Sequence, residues 1–456
     1  MNNMKKSSYE YSLQNVETPN LYKDIFPYTE TPKLVLNKIQ LPMDLPEDIW
    51  ITDTTFRDGQ QSMPPYTVEQ ITRIFDYLHK LDNNSGVIRQ TEFFLYTEKD
   101  RKAAELCMEK GYRFPEVTSW IRANKEDFKL VKQMGIKETG MLMSCSDYHI
   151  FKKLNMTRTE VMDMYLSVAE EAFENGILPR CHLEDITRAD FHGFVVPFVN
   201  KLMELSKQAK IPVKIRVCDT LGLGVPHSGV ALPRSVQGLI HGLRTECNVP
   251  SEYIEWHGHN DFYSVVSNST TAWLYGASSI NTSLLGIGER TGNCPLEAMI
   301  FEYIQLKGNS KNINTQVITE IAQYFEREMD YAVPGRTPFV GSEFNVTRAG
   351  IHADGILKDE EIYNIFDTDS ILNRPVVVAV NQYSGLAGIA AWVNTYYRLK
   401  DDEKISKKDP RISMIKEWVD KQYENGRTSI IGSNELEFIV DKLIPEITEK
   451  NEWEAS

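Results

Sequence analysis

From Ile49 onward, apolar residues fall into short runs of strand type separated by longer runs with helical spacing. Eight strand candidates follow one another: IWITD (49–53), GVIRQTEF (86–93), FPEVT (114–118), KETGMLMS (137–144), ILPRCHL (177–183), VKIRVC (213–218), YIEWH (253–257) and SSINTSL (278–284). The intervening helices carry their own punctuation. Thr67 with Gln70, and Thr157 with Glu160, fit the capping box, in which a cap hydroxyl and the third side chain satisfy orphan backbone donors. After Thr67, Val68, Ile71, Ile74, Phe75, Leu78 and Leu81 share one helical face. Gly111, Gly135 and Gly176 sit where such helices should stop.

Eight strand–helix alternations in series predict an α/β fold, a TIM (β/α)8 barrel over residues 48–310, rather than an open doubly wound sheet. The dinucleotide-binding alternative fails on its fingerprint. Gly222-x-Gly224 follows a strand but reaches His227 at the last position, and GIGERT (286–291) ends in Thr291. Residues 1–47 read as an N-terminal extension. Beyond the barrel, 311–400 reads as a linking subdomain: a helical stretch (315–330), the turn-rich GRTPFVGSEFNVTRAGIHADG, a strand-like VVVAVN (376–381) and a helix (385–398). Two helical segments in 401–456 close the chain.

Composition narrows the class. Lys and Arg number 50 against 64 Asp and Glu, a net charge of −14, which argues against a nucleic-acid or anionic-membrane surface. No apolar run approaches the roughly 18 residues of a membrane span, and the first 20 residues lack the apolar core of a secretory signal. Six cysteines are too sparse for a disulfide framework and read as small buried residues. The expectation is a reduced, soluble, cytoplasmic protein.

In a barrel, chemistry collects at the C-terminal ends of strands. Those ends hold Asp53, Arg57 and Asp58 after strand one, Glu92 in strand two, and Ser119 and Arg122 after strand three. Further round lie Glu184 and Asp185 after five, Asp219 and Thr220 after six, His257 and His259 at seven, and Asn293 after eight. HGHND (257–261) is the sharpest signal, because residues i and i+2 of a strand project to one side and both imidazoles can reach one ion. Asp58 would add a hard third ligand, with Arg57 beside it to stabilise an oxyanion. His182, inside strand five, could point into the mouth. His79, His149, His192, His227 and His241 have no partner at ligand spacing and read as ordinary.

Four motifs in order, DTTFRDGQQS (53–62), HGHND (257–261), GIGERTGN (286–293) and AGIHADG (349–355), resemble the DRE-TIM metallolyase family over about residues 48–400. The likeness is greatest to its Claisen-condensing members, which join acetyl-CoA to a 2-oxo acid. The resemblance implies a divalent metal held by Asp58, His257, His259 and Asn293, with manganese put first and Co2+, Mg2+ or Zn2+ compatible with such donors. It implies Arg57 at the keto oxygen, with Glu92, Arg122, Glu184 and Thr220 around the substrate. Gly286, Gly288, Glu289 and Arg290 would line the acetyl-CoA side. His352 and Tyr363 would be contributed by a second subunit, making a homodimer with shared sites. Removal of a proton from the acetyl methyl would fall to a His352/Glu184 system.

Within the family, TTFRDGQQSMPPYT, with Phe56 where most members carry Leu, is most similar to the branch that uses oxaloacetate to form citrate. Homocitrate synthases carry T-H-I-R-C-H after strand three; here it is S-W-I-R-A-N, so Trp120 and Asn124 replace two histidines and weigh against 2-oxoglutarate. Only about 55 residues remain from the start of the charged KDDEKISKKDP linker, which weighs against the leucine-sensing domain of isopropylmalate synthases. A biotin-dependent carboxyltransferase or a C–C lyase shares the barrel, but this chain has no M-K-M sequence and carries GQQ in place of A-H-Q.

Overall fold

The computed structural model describes residues 35–36, 39–40, 43–348, 350–364, 366–400 and 402–447. Most of the expected N-terminal extension thus lies outside the described residues.

The eight anticipated strands all form and close on one another. They are β1 (Trp50–Asp53), β2 (Ile88–Phe94), β3 (Glu116–Arg122), β4 (Glu138–Ser144), β5 (Leu178–Glu184), β6 (Lys214–Asp219), β7 (Ile254–Gly258) and β8 (Ser279–Thr282), in a closed parallel barrel in which β8 pairs with β1. Helices α1 (Val68–Asp82), α2 (Glu98–Glu109), α3 (Phe128–Gln133), α4 (Arg158–Glu174), α5 (Val196–Ala209), α6 (Val236–Thr245), α7 (Val265–Leu274) and α8 (Leu296–Lys307) wrap it. Both anticipated capping boxes are present, at Thr67 with Gln70 and at Thr157 with Glu160. α1 buries Ile71, Ile74, Phe75, Leu78 and Leu81, as its periodicity requires.

Strand three departs from expectation. It runs Glu116–Arg122 rather than 114–118, because SWIR (119–122) continues the ladder despite Ser119 and Arg122. Ser119, expected after the strand, is buried within it and donates to Thr139 Oγ1 at 2.8 Å.

The barrel interior is unusual in being ionic. Barrel layers are ordinarily filled by Val, Ile and Leu. Here Glu92, Glu138 and Glu255 face Arg180, Arg216 and Lys214. Arg180 meets Glu138 at 2.6 Å and Glu92 at 2.5 Å, Arg216 meets Glu92 at 3.1 Å and Glu255 at 2.5 Å, and Lys214 meets Glu138 at 2.7 Å. Burying these charges is tolerable only because they pair and sum to neutrality.

Beyond the barrel, α9 (Val317–Glu328) packs back on it: Val317, Ile318, Ile321, Ala322 and Phe325 join the barrel's core cluster. The segment read as turn-rich contains a helix, α10 (Gly350–Lys358). Its glycines disfavour helix, but Ala353 and Ile356 bury against Val376, Val378 and Ala391. A separate core joins α11 (Leu386–Tyr396), α12 (Pro410–Glu424) and α13 (Ser433–Leu443) through Ile389, Trp392, Ile412, Ile415, Leu436 and Val440. The apolar packing therefore runs across the expected 400/401 boundary. Among the described residues no helix is long and apolar enough to cross a membrane.

Candidate active site

After β1 the chain makes one wide helical turn, Thr55–Gly59, anchored by Phe56, which is buried with its ring centroid 4.7 Å from that of Phe93. The turn delivers Arg57 and Asp58 to the barrel mouth. Two strands round the barrel, β7 carries His257 and the chain just past its end carries His259, while the loop after β8, which lies between β7 and β1, brings Asn293. A backbone bridge between His259 and Asn293, and Asn260 N–H donating to Gly292 O at 3.0 Å, stitch these two loops together.

The four expected metal residues converge. His257 Nε2 lies 3.3 Å from His259 Nε2 and 3.7 Å from Asp58 Oδ2, and Asn293 Nδ2 donates to Asp58 Oδ2 at 3.3 Å. No group of three or more His, Cys, Asp or Glu side chains among the described residues is already arranged as a metal site, and Arg57 pairs with Asp58 Oδ1. Three observations nevertheless fit a cation. Two nitrogens bound to one ion at about 2.1 Å stand roughly 3.0–3.4 Å apart, the spacing of the two imidazoles. Burial lowers both rings, His259 to about 3 with His257 adding to the effect, so both are uncharged near neutrality. Finally, Asn293 Oδ1 is buried without a partner. Burial alone would raise the Asp58 carboxyl, but the Arg57 guanidinium paired with it holds it below its ordinary value.

Gly288, expected on the acetyl-CoA side, is in contact with this cluster: a Cβ there would overlap Asn293 Oδ1. Gly286 and Asn293 line a cavity of about 630 Å3 with Leu285, Tyr331 and Phe339. Arg290 is engaged structurally, donating to Asp261 at 2.9 and 3.1 Å and to Thr220 O at 2.6 Å, while Glu289 is exposed.

Arg57 is held over the Trp120 ring, 4.7 Å from its centroid. Glu92 lies in the ionic interior, 1% exposed, with Arg180, Arg216 and Thr54 on its oxygens. His182 does point inward, 3.5 Å from Glu92, and burial holds its ring well below the ordinary histidine value. Arg122 is taken up at the rim by Asp127, with two contacts of 3.0 Å. Thr220 accepts the backbone N–H of Asp185 at 2.8 Å, pinning that residue at φ +64°. Asp53 is buried against Thr55 and Thr91 and raised to about 6 by that burial. Asp219 caps the following turn through Leu223 and Gly224 N–H.

His149 requires correction: far from partnerless, its Nδ1 lies 2.9 Å from Glu184 Oε2 and its Nε2 3.7 Å from Asp185. Glu184 also takes Ser144 Oγ and Lys153 Nζ, the latter at 2.9 Å. Burial opposes its ionisation, but His149, Ser144 and Lys153 bring the carboxyl down to about 2. Sequence spacing hid this contact because His149 and Glu184 lie on different strand ends. Asn281, the inward residue of β8 that bonds His257, was missed as well. His352 and Tyr363 are exposed and face each other on the C-terminal module, ring centroids 4.4 Å apart.

A family model described as HMGL-like matches residues 48–325. The chain is 78% identical over 453 residues to a Clostridium kluyveri protein named citrate (Re)-synthase, covering 99% of this chain and 100% of that one. A Syntrophus aciditrophicus protein of the same name is 50% identical, over 96% of this chain and 70% of its own. The 2-phosphinomethylmalate synthase of Streptomyces hygroscopicus is 37% identical, over 94% and 98%. Hydroxymethylglutaryl-CoA lyase from Pseudomonas aeruginosa shares the fold, with a TM-score of 0.50 at 19% identity over 63% of this chain and 95% of that one. With its closed barrel, its motifs in order and these matches, the chain belongs to the HMGL-like family of DRE-TIM barrels.

Proposed function

We propose that this chain is an acyltransferase that condenses acetyl-CoA with oxaloacetate, on the Re face of the ketone, to give citrate and CoA. The observation that carries the reading is full-length kinship with citrate (Re)-synthases. The mouth cluster supplies the donor types such chemistry needs.

Asp58, His257, His259 and Asn293 would hold a divalent cation, manganese first among those such donors accept. When bound, it supplies Lewis-acid polarisation of the keto group. Arg57, adjacent to Asp58 and backed by Trp120, is placed to stabilise the negative charge that develops on the keto oxygen. Glu184, kept ionised by His149 and Lys153, is a weak base on its own. We therefore assign removal of the acetyl methyl proton to His352 and Tyr363 of a second copy, working beside Glu184 in a homodimer with shared sites. The resulting carbon nucleophile attacks the ketone; water then cleaves the citryl thioester, releasing CoA as the free thiol. The cavity beside Gly286 and Asn293 is the room we assign to acetyl-CoA. Six free, buried cysteines support a reducing, cytoplasmic setting.

The test is free-thiol release from acetyl-CoA with oxaloacetate, 2-oxoglutarate or 2-oxoisovalerate, before and after chelation and Mn2+ re-addition. Oxaloacetate alone should support turnover, abolished by chelation and restored by the ion. Preference for another oxo acid, or full turnover in metal-free buffer, would overturn the reading.

A further inference from the structure

The contacts beneath His257 form a hydrogen-bonded chain with a fixed direction. Glu255 is 2% exposed, and its Oε2 lies 2.5 Å from Arg216 Nε and 3.6 Å from Arg180 Nε. Flanked by two guanidiniums it is an anion, and a carboxylate anion only accepts. Its Oε1 takes the hydroxyl proton of Thr52. Thr52 has no second proton, so its oxygen must accept from the next member, Asn281 Nδ2, at 2.9 Å. That contact orients the Asn281 amide, with Oδ1 turned to His257 Nδ1 at 2.7 Å. An amide oxygen also only accepts, so the ring proton must sit on Nδ1, leaving Nε2 bare. Thr52, Asn281 and His257 are 2%, 0% and 5% exposed, so water does not compete along the path.

We propose that Glu255, Thr52 and Asn281 are positioning residues that lock His257 in the Nδ1–H tautomer, with its Nε2 lone pair facing Asp58 and His259 as a preset cation ligand. The inference rests on the divalent-ion reading for its purpose, but its first readout needs no ion. His259 is the internal contrast: its Nδ1 is buried without a partner, so no such chain selects its tautomer. Outer partners of this kind orient a ligating imidazole and change metal affinity by about 10–100-fold when removed.

The experiment uses the full chain, stripped of metal and labelled with 15N-histidine, with tautomers read from imidazole nitrogen shifts and Mn2+ affinity measured separately by titration. Wild type should show His257 as the Nδ1–H form. Thr52→Val keeps the shape and leaves Glu255 with its arginines, but frees the Asn281 amide to turn. It should populate the Nε2–H form and weaken Mn2+ binding by about 10-fold or more. Thr52→Ser should restore both readouts. Asn281→Asp should retain the Nδ1–H form, because a carboxylate also accepts there. An Nε2–H tautomer in wild type, or a Thr52→Val protein with unchanged tautomer and affinity, overturns the inference. Failure of wild type to bind Mn2+ despite a fixed Nδ1–H ring would instead overturn the ion reading.

Discussion

Replacing Glu92 by Gln should destabilise the protein by about 3–5 kcal/mol, the usual cost of removing one partner from a buried ion pair. The structure explains the size. Glu92 is 1% exposed and contacts both Arg180 and Arg216, at 2.5 and 3.1 Å. The three carboxylates and three cations of the interior sum to neutrality, and the Gln variant leaves one positive charge uncompensated in a dry barrel. A second substitution, Arg216→Met, removes the excess charge, so Glu92→Gln/Arg216→Met should lose less than the two single losses combined. Guanidinium unfolding of the four proteins at neutral pH measures the cycle. The folded fraction of Glu92→Gln should keep an oxaloacetate KM within a few-fold of wild type. Wild-type stability in Glu92→Gln with a greatly raised KM would refute the reasoning and make Glu92 a substrate contact.

Glu184 links stability to acid. Its folded carboxyl sits near 2 against an ordinary 4.5, so it contributes stability that is complete above about pH 4.5 and is lost as pH falls toward 2. The gap corresponds to about 3 kcal/mol, and unfolding measured at pH 6 and pH 3 should show a flatter dependence in Glu184→Gln; an unchanged slope would contradict the assignment. Gly288→Ala should weaken Mn2+ binding by displacing Asn293. Gly111→Ala, at φ +66° with open space around it, should cost only about 1–2 kcal/mol and leave ion affinity intact.

Periodicity revealed the barrel because each strand and each helix is punctuated locally. Strand three was cut short at Thr118 because Ser119 and Arg122 look like loop residues, whereas barrel closure pairs their backbones regardless of polarity. The ionic interior was legible in principle. Arg180, His182 and Glu184 alternate with Cys181 and Leu183, and Glu255 and His257 alternate with Ile254 and Trp256, where a parallel barrel would normally be apolar on both faces. The His149–Glu184 contact was not legible, since the two residues stand 35 positions apart and meet only once β4 and β5 pair. The helix at Gly350–Lys358 escaped because its stability comes from Val376, Val378 and Ala391, distant in sequence, and not from its own composition.

If the barrel mouth holds oxaloacetate in one fixed orientation, as proposed, the acetyl carbon arrives on one face of its ketone. Condensing labelled acetyl-CoA with unlabelled oxaloacetate and cleaving the citrate stereospecifically reads which arm carries the label. Label is expected solely in the arm formed by Re-face attack; label in the arm formed by Si-face attack would contradict the proposed function, even with citrate as the product.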